Sequence, residues 1–421
     1  MTDTVGAYRS AVNPLRCDVI EELEWPSSYT AAEGAYVTAE GGQRYLDMIA
    51  EFGAAVLGHR HPRVVRALGD ALHGGSPFIV PIGVPALAGE LAQRLCALAG
   101  GRIERAYFCT GGSEAVENAM KFAVAASGGR SEFVSFEGGY HGLTPGPLAL
   151  AGHDYWRTPL PGWSPPGRHR VPFGDVAAVE RLLAGREVAA VLVEPVQGIG
   201  GARPWPDDAL RSLAECCTAH GTLLICDEVL TGLGRTGSWF AFQRAGIEPD
   251  VVVTSKALSG GVVPVAAVLM SRAVHESVYA SPATATVHSS TFEGHLLGMA
   301  AGLAVLEVLT EQDLLARAGS LGERLRSGLE ELKGARAVTG VRGRGLLLAF
   351  QVAGIDAPDD PDGAGTCMDL LMSRGVLVYQ AAHDPTWLKL TPPLTLTDAQ
   401  ADEFLAAVRD SLADLSAYHE D

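Results

Sequence analysis

Between Arg105 and Met270 the chain alternates short, unbroken apolar runs with helical stretches. Ala106-Tyr107-Phe108-Cys109 is followed by a helical pattern from Glu114, with Val116, Ala119, Met120 and Ala123 on one face. Phe133-Val134-Ser135-Phe136, the run Val188 to Val193, Leu223 to Ile225 and Val251-Val252-Val253 are the next apolar segments. Continuous rather than alternating apolarity predicts strands buried on both faces. Strands alternating with helices predict a mostly parallel sheet in an α/β layer. The last third has a different pattern. Leu314, Ala318, Leu321, Leu325, Leu329 and Leu332 recur at helical spacing, with Gly334 as a stop. Strand-like runs follow at Leu346 to Phe350, Val376 to Tyr379 and Trp387 to Leu390. Thr397 and Gln400 form a capping-box pattern that opens a last helix. Asp356 to Gly363 reads as a solvated loop inside this α+β unit. The expected organisation is an N-terminal segment (1–60) packing on the small domain, a large domain (61–305) and a small α+β domain (306–421).

A chain of 421 residues is too long for one ordinary core, which agrees with a large and a smaller domain. A net charge of -17 leaves no electrostatic footprint for DNA or RNA and would be repelled by anionic membrane surfaces. No apolar run reaches the roughly 18 residues of a membrane span. The seven cysteines include no C-x-x-C pair, so neither a zinc site nor a disulfide framework is indicated. Thiols inside apolar runs, as at Cys226, imply a reducing compartment. No signal peptide is visible, and a cytoplasmic location is expected.

Basic residues number 32, of which only Lys121, Lys256, Lys333 and Lys389 are lysines. Lys256 follows Asp250-Val251-Val252-Val253-Thr254-Ser255, at the end of a buried strand. A lysine there is costly unless it is paired, deprotonated or covalently used, and desolvation lowers its pKa. On its own it also fits a lysine whose stem is buried and whose head reaches solvent. Asp227 ends another buried strand, so both residues should face the crevice at the carboxyl edge of the sheet. Thr110-Gly111-Gly112-Ser113 follows a strand and opens a helix, an arrangement that suits a phosphate as well as an ordinary N-cap. Glu137-Gly138-Gly139-Tyr140-His141-Gly142 follows a further strand, and Tyr140 could stack on a flat ring. Gly232-Leu233-Gly234-Arg235-Thr236-Gly237 matches a dinucleotide fingerprint in spacing. The next strand, however, is preceded by Asp250 and ended by Lys256 instead of ending in an acid, so that reading is rejected.

Asp227-Glu228-Val229-Leu230-Thr231-Gly232-Leu233-Gly234-Arg235-Thr236-Gly237, followed by Ser255-Lys256-Ala257-Leu258-Ser259-Gly260-Gly261, resembles the class III aminotransferases of the fold-type I pyridoxal-phosphate enzymes. The resemblance runs from about Pro26 to near the C-terminus. It takes in Gly58-His59-Arg60-His61-Pro62, Val193-Glu194-Pro195-Val196-Gln197-Gly198, Ser290-Thr291-Phe292 and Pro392-Pro393-Leu394. It implies pyridoxal 5'-phosphate held by Lys256 as a Schiff base, with Lys256 also moving the substrate proton. Asp227 would pair with the pyridine nitrogen, Tyr140 and Val229 would cover the two ring faces, and Gly111, Gly112 and Ser113 would hold the phosphate. His141 and Glu194 complete the expected cofactor contacts. Thr291 would reach the phosphate of the other subunit in a homodimer whose interface seals the site.

Three positions depart from the family pattern: Leu230 replaces a Gln, Ile199 replaces a gating Glu, and Lys389 aligns with the arginine that grips a substrate carboxylate. Lys389 and Ile199 are therefore the candidate substrate contacts. The expected reaction moves an amino group from a primary amine or ω-amino donor to a keto acid or aldehyde, in a biosynthetic pathway. An epimerase, racemase, aminomutase or decarboxylase would share Lys256 and Asp227. A non-catalytic dimeric binding or scaffold protein is the alternative outside enzymology.

Overall fold

The apolar runs in the middle of the chain become one seven-stranded sheet in a computed structural model that describes residues 4–163, 165–335, 338–354 and 362–417. Three N-terminal strands come first: β1 (Tyr29–Glu33), β2 (Tyr36–Ala39) and β3 (Arg44–Asp47). The central sheet begins with β4 (Ile103–Cys109), β5 (Glu132–Phe136), β6 (Arg168–Val171) and β7 (Val188–Val193). A short ribbon of β8 (Val196–Gln197) and β9 (Arg203–Pro204) precedes β10 (Leu223–Asp227), β11 (Val251–Thr254) and β12 (Ala266–Ser271). The order across the sheet is β4-β12-β11-β10-β7-β5-β6. Strands β11, β10, β7, β5 and β6 are mutually parallel, and β12 runs against both of its neighbours.

Successive side chains of a strand point to opposite faces, so a strand covered on both sides must be apolar throughout. Val191, Val193, Leu224, Cys226, Val252 and Leu269 pack into the same core as Leu91, Leu95, Met299 and Leu303. Their neighbours Leu192, Ile225, Val251, Val253 and Val268 pack with Val116, Ala119 and Ala123 of the helix Gly112–Ala126 on the other face. That two-sided cover accounts for the unbroken runs. It also leaves the carboxyl edge of the sheet as the place where polar side chains emerge.

The last third supplies β13 (Val338–Arg344), β14 (Leu347–Val352), β15 (Val376–Leu377), β16 (Tyr379–Ala381) and β17 (Asp384–Leu390). The run read as one strand, Val376 to Tyr379, is divided. β15 pairs in parallel with β3, whereas β16 joins the sheet β13-β14-β17-β16. The N-terminal strands thus share a sheet with residues of the last third. Two helices, Thr4–Ala11 and Pro14–Glu22, precede them and bury only Cys17, which is why no amphipathic pattern announced them. Of the loop expected at 356–363, residues 356–361 lie outside the described residues, and Asp362 and Gly363 open the helix Asp362–Ser373. The division expected after residue 305 falls inside the helix Leu296–Glu311, whose apolar surface keeps it intact to its end. The chain turns at Gln312 and Asp313 instead, where Asp313 has φ 48°. The capping box is present: the Thr397 N–H donates to Gln400 Oε1 at 2.9 Å, and the Gln400 N–H to Thr397 Oγ1 at 3.2 Å.

Arg235 joins these parts. Its side chain is 0 % exposed and donates to the carbonyls of Gly53 (3.2 Å), Leu346 (3.2 Å) and Pro392. Among the described residues no carboxylate lies within ion-pair distance of it, and burial alone pulls its pKa down to about 9. Removing the guanidinium would leave three carbonyls without donors in a dry interior. Arg235→Met, which keeps the apolar stem, is expected to cost on the order of 3 kcal/mol of stability. The check is the midpoint of thermal unfolding, and an unchanged midpoint would show that the three carbonyls do not depend on Arg235.

Candidate active site

Five strand ends deliver the candidate residues to one place. Gly111 to Ser113 follow β4, Tyr140 and His141 follow β5, Glu194 follows β7, Asp227 ends β10, and Lys256 lies two residues beyond β11. A cavity of about 200 Å³ is lined by Gly112, Ser113, Tyr140, His141, Glu194, Ile199, Asp227, Val229 and Lys256. Gly142, Gly198, Leu230 and Ser255 complete the wall. Gly111 sits just outside as the N-cap of the helix Gly112–Ala126, with extended backbone. Lys389 and Thr291 are not part of the lining.

The carboxylates are held by directed bonds. His141 Nδ1 lies 2.8 Å from Asp227 Oδ2, and Asp227 Oδ1 accepts the Val229 N–H at 3.1 Å. Glu194 accepts the N–H of Tyr140 at 2.8 Å and that of Gly198 at 2.9 Å, so one side chain links the segments after β5 and β7. Burial lowers the pKa of His141, but its bond to Asp227 and the charges of Asp227 and Glu194 more than offset this and leave it raised. Burial pushes the Glu194 carboxyl upward, with the negative charge of Asp227 adding to the effect and His141 opposing it. Lys256 is shifted down by burial, with partial relief from Asp227 and Glu194. Its backbone has φ 36°, in the left-handed region that a side-chain-bearing residue enters at a cost. A strained, desolvated amine and a buried acid thus line the same cavity.

The other end of the cavity is built from backbone. The first N–H groups of the helix Gly112–Ala126 have no partner within the helix and face an open space. A side chain at Gly112 would come within 3.1 Å of Val229, so glycine lets that valine form a wall. A side chain at Gly142, which has φ 118°, would strike Ser113 Oγ at 2.1 Å. Ser113 Oγ in turn accepts the Leu143 N–H at 3.3 Å.

Of the departures from the family pattern, Ile199 and Leu230 line the cavity and Lys389 does not. Leu230 is nearly buried between two glycines: a Cβ at Gly198 would lie 2.2 Å from one of its methyls and one at Gly53 2.7 Å from the other. Lys389 is on β17, opposite Ala349 and Tyr379, and is 3 % exposed. Among the described residues it has no carboxylate at ion-pair distance. Burial, and then the positive charge of Lys256, bring its pKa down to about 8 against the pull of Glu194. Thr291 stands exposed in a turn outside this cavity. Gly142, Gly198 and Ser255 were not singled out in the sequence, although each adjoins a residue that was. A glycine beside a candidate side chain was the available signal.

This donor set fits pyridoxal phosphate. It offers an amine with a lowered pKa, a buried carboxylate for a ring nitrogen, flat walls at Val229 and Tyr140, and a helix N-terminus for a phosphate. Residues 21–412 match the family described as aminotransferase class-III. The acetylornithine aminotransferase of Mycolicibacterium smegmatis is 39% identical over 390 residues, 91% of this chain and 93% of that protein. The aminotransferase PigE of a Serratia species is 32% identical over 99% of this chain, which spans 54% of that longer protein. Among solved structures, an amine transaminase from an uncultivated Pseudomonas species with bound pyridoxal phosphate superposes with a TM-score of 0.84 at 30% identity, covering 92% of this chain and 94% of the other. The cavity at the carboxyl edge, the fold around it and these likenesses agree: the chain belongs to the class III aminotransferases, fold-type I enzymes that depend on pyridoxal phosphate.

Proposed function

We propose that this chain moves an amino group between a primary amine or ω-amino donor and a keto acid or aldehyde acceptor, with Lys256 and Asp227 as its catalytic residues. The observation that carries the proposal is the strained, desolvated Lys256 sharing one cavity with the Asp227–His141 pair. Pyridoxal phosphate, when bound, supplies an aldehyde that condenses with amines and a ring that accepts an electron pair. The chain supplies the rest. Lys256 binds the cofactor and carries the proton between the substrate carbon and the cofactor. Asp227, oriented by His141 and the Val229 N–H, keeps a proton on the ring nitrogen. Tyr140 and Val229 bound the ring's faces, with Gly111, Gly112 and Ser113 at the phosphate.

Lys389 is the proposed carboxylate contact. A buried ammonium with no acidic partner among the described residues gains most from an anion that arrives with the substrate. Ile199 and Leu230, at the other two departures from the family pattern, carry no charge that could neutralise it. The remaining proposals go with the family: a homodimer in which Thr291 reaches the partner's phosphate, a cytoplasmic location and a biosynthetic role. The strand exchange between the N-terminal segment and the last third supports treating 1–60 with the small domain.

Two measurements test this reading. Lys256→Ala should lose the visible absorbance of lysine-bound pyridoxal phosphate and on the order of 10²–10⁴-fold or more in turnover. Retention of that absorbance would displace Lys256 from its role. Donors that convert the wild-type band to the pyridoxamine form define the substrate class, and a band that no donor converts would favour epimerisation or decarboxylation.

Lys389→Met should raise KM for keto acids about tenfold or more, as loss of a charged contact does. Its lowered pKa gives the pH dependence a sign. Lys389 is charged below about 8 in the free protein and loses its charge as pH rises through that value, so the wild-type KM for keto acids should climb there. The variant should lack that climb. An unchanged KM in Lys389→Met would remove Lys389 from the substrate site.

A further inference from the structure

We propose that His383 is a positioning residue, which ties the loop bearing Tyr140 to the hairpin bearing Lys389 through Trp156 and the Gly138 carbonyl. His383 lies in the two-residue turn between β16 and β17, six residues ahead of Lys389 on the same hairpin. Its Nδ1 lies 3.0 Å from the Gly138 carbonyl oxygen, which can only accept, so Nδ1 carries the hydrogen. Its Nε2 lies 2.9 Å from Trp156 Nε1, whose N–H can only donate, so Nε2 presents its lone pair. The two partners together specify one neutral tautomer. Burial also favours the neutral ring, lowering the pKa to about 4 even though the Gly138 bond opposes this.

The two partners flank Tyr140 along the chain. Gly138 stands two residues before it, just beyond β5, and Trp156 stands after it in the short helical turn Asp154–Arg157. The loop between them is closed on itself, because the Gly138 N–H donates to the Gly152 carbonyl (3.2 Å) and the Gly152 N–H to that of Gly139 (2.8 Å). The Trp156 ring rests against the Tyr140 ring, with centroids 5.3 Å apart and planes at 60°. His153 stacks on the other side of the arrangement, 5.0 Å from His383 at 17°. The hairpin itself is braced, since Arg342 lies 3.7 Å over the Trp387 ring and donates to the carbonyls of Gly200 (2.7 Å) and Gly201 (2.6 Å). One imidazole therefore fixes both ends of the Tyr140 loop to a rigid hairpin, and the ring wall and the carboxylate contact are set relative to each other.

This inference rests on the proposed function in taking Tyr140 as a wall for the cofactor ring and Lys389 as the carboxylate contact. Its test reads the bound cofactor itself. Trp156→Phe removes one N–H and keeps an aromatic ring, whereas His383→Asn keeps a donor near Nδ1 and removes the acceptor at Nε2. With pyridoxal phosphate bound, each variant should lower the cofactor's induced visible circular dichroism about twofold or more, and kcat about fivefold, at near-wild-type cofactor stoichiometry. The double variant should be no worse than the more affected single one, because both changes break the same bond. Unchanged circular dichroism in Trp156→Phe, or effects that add in the double variant, would overturn the proposal. If His383→Asn fails to fold, Trp156→Phe decides alone. Failure of wild-type protein to bind pyridoxal phosphate would instead refute the functional reading.

Discussion

Everything in this molecule turns on removing an amine from water. The Lys256 ammonium is desolvated at the carboxyl edge of a sheet whose strands are apolar on both faces, and that cost depresses its proton affinity. The surrounding groups respond to it. Asp227 and Glu194 draw some of the affinity back, His141 gains affinity from both carboxylates, and Lys389 loses it partly because Lys256 is near. The charges of Asp227 and Glu194 thus act on Lys256 and His141 from neighbouring strand ends, and Glu194 also acts on Lys389 in the adjoining sheet. The strained φ at Lys256 is tolerated because the turn is surrounded by buried neighbours such as Ala257 and Leu258.

The shape of the cavity is decided by glycines as much as by functional side chains. Gly112 admits Val229, Gly142 admits Ser113, and Gly53 and Gly198 together admit Leu230. The last case has a chemical meaning. A polar residue is expected by family pattern at position 230, and a leucine stands there in a slot with no room for a Cβ on either side. Lys389 has no carboxylate at ion-pair distance among the described residues, although the charge of Glu194 still favours its protonated form.

Much of this was legible in the chain itself, for identifiable reasons. Lys256 and Asp227 stood out because each ends a run that could only be a doubly covered strand, and the sheet brings such ends together. The helix Gly112–Ala126 and the final capping box were written in local pattern. The division of Val376 to Tyr379 was not, because its two halves are distinguished only by distant partners, Leu46 for one and Leu388 and Lys389 for the other. The helices Thr4–Ala11 and Pro14–Glu22 were missed because they bury almost nothing and so carry no amphipathic signature. The His383–Trp156 bond joins residues far apart in sequence, and neither residue type at its own position suggests the other. Local chemistry was readable, whereas the contacts that align one part with another were not.

The parallel pairing of β15 with β3 has a consequence for how the chain is made. Strand β3 leaves the ribosome about 330 residues ahead of its outer partner, in which Val376 stands against Leu46. At ordinary synthesis rates of about 5–20 residues per second, that is a wait of roughly 15–70 s. During it, β3 presents a row of unpaired N–H and C=O groups, the kind of edge that recruits other strands. The N-terminal meander is thus born long before its sheet can be closed, and translation speed and chaperone cover over that interval bear on the yield of folded protein.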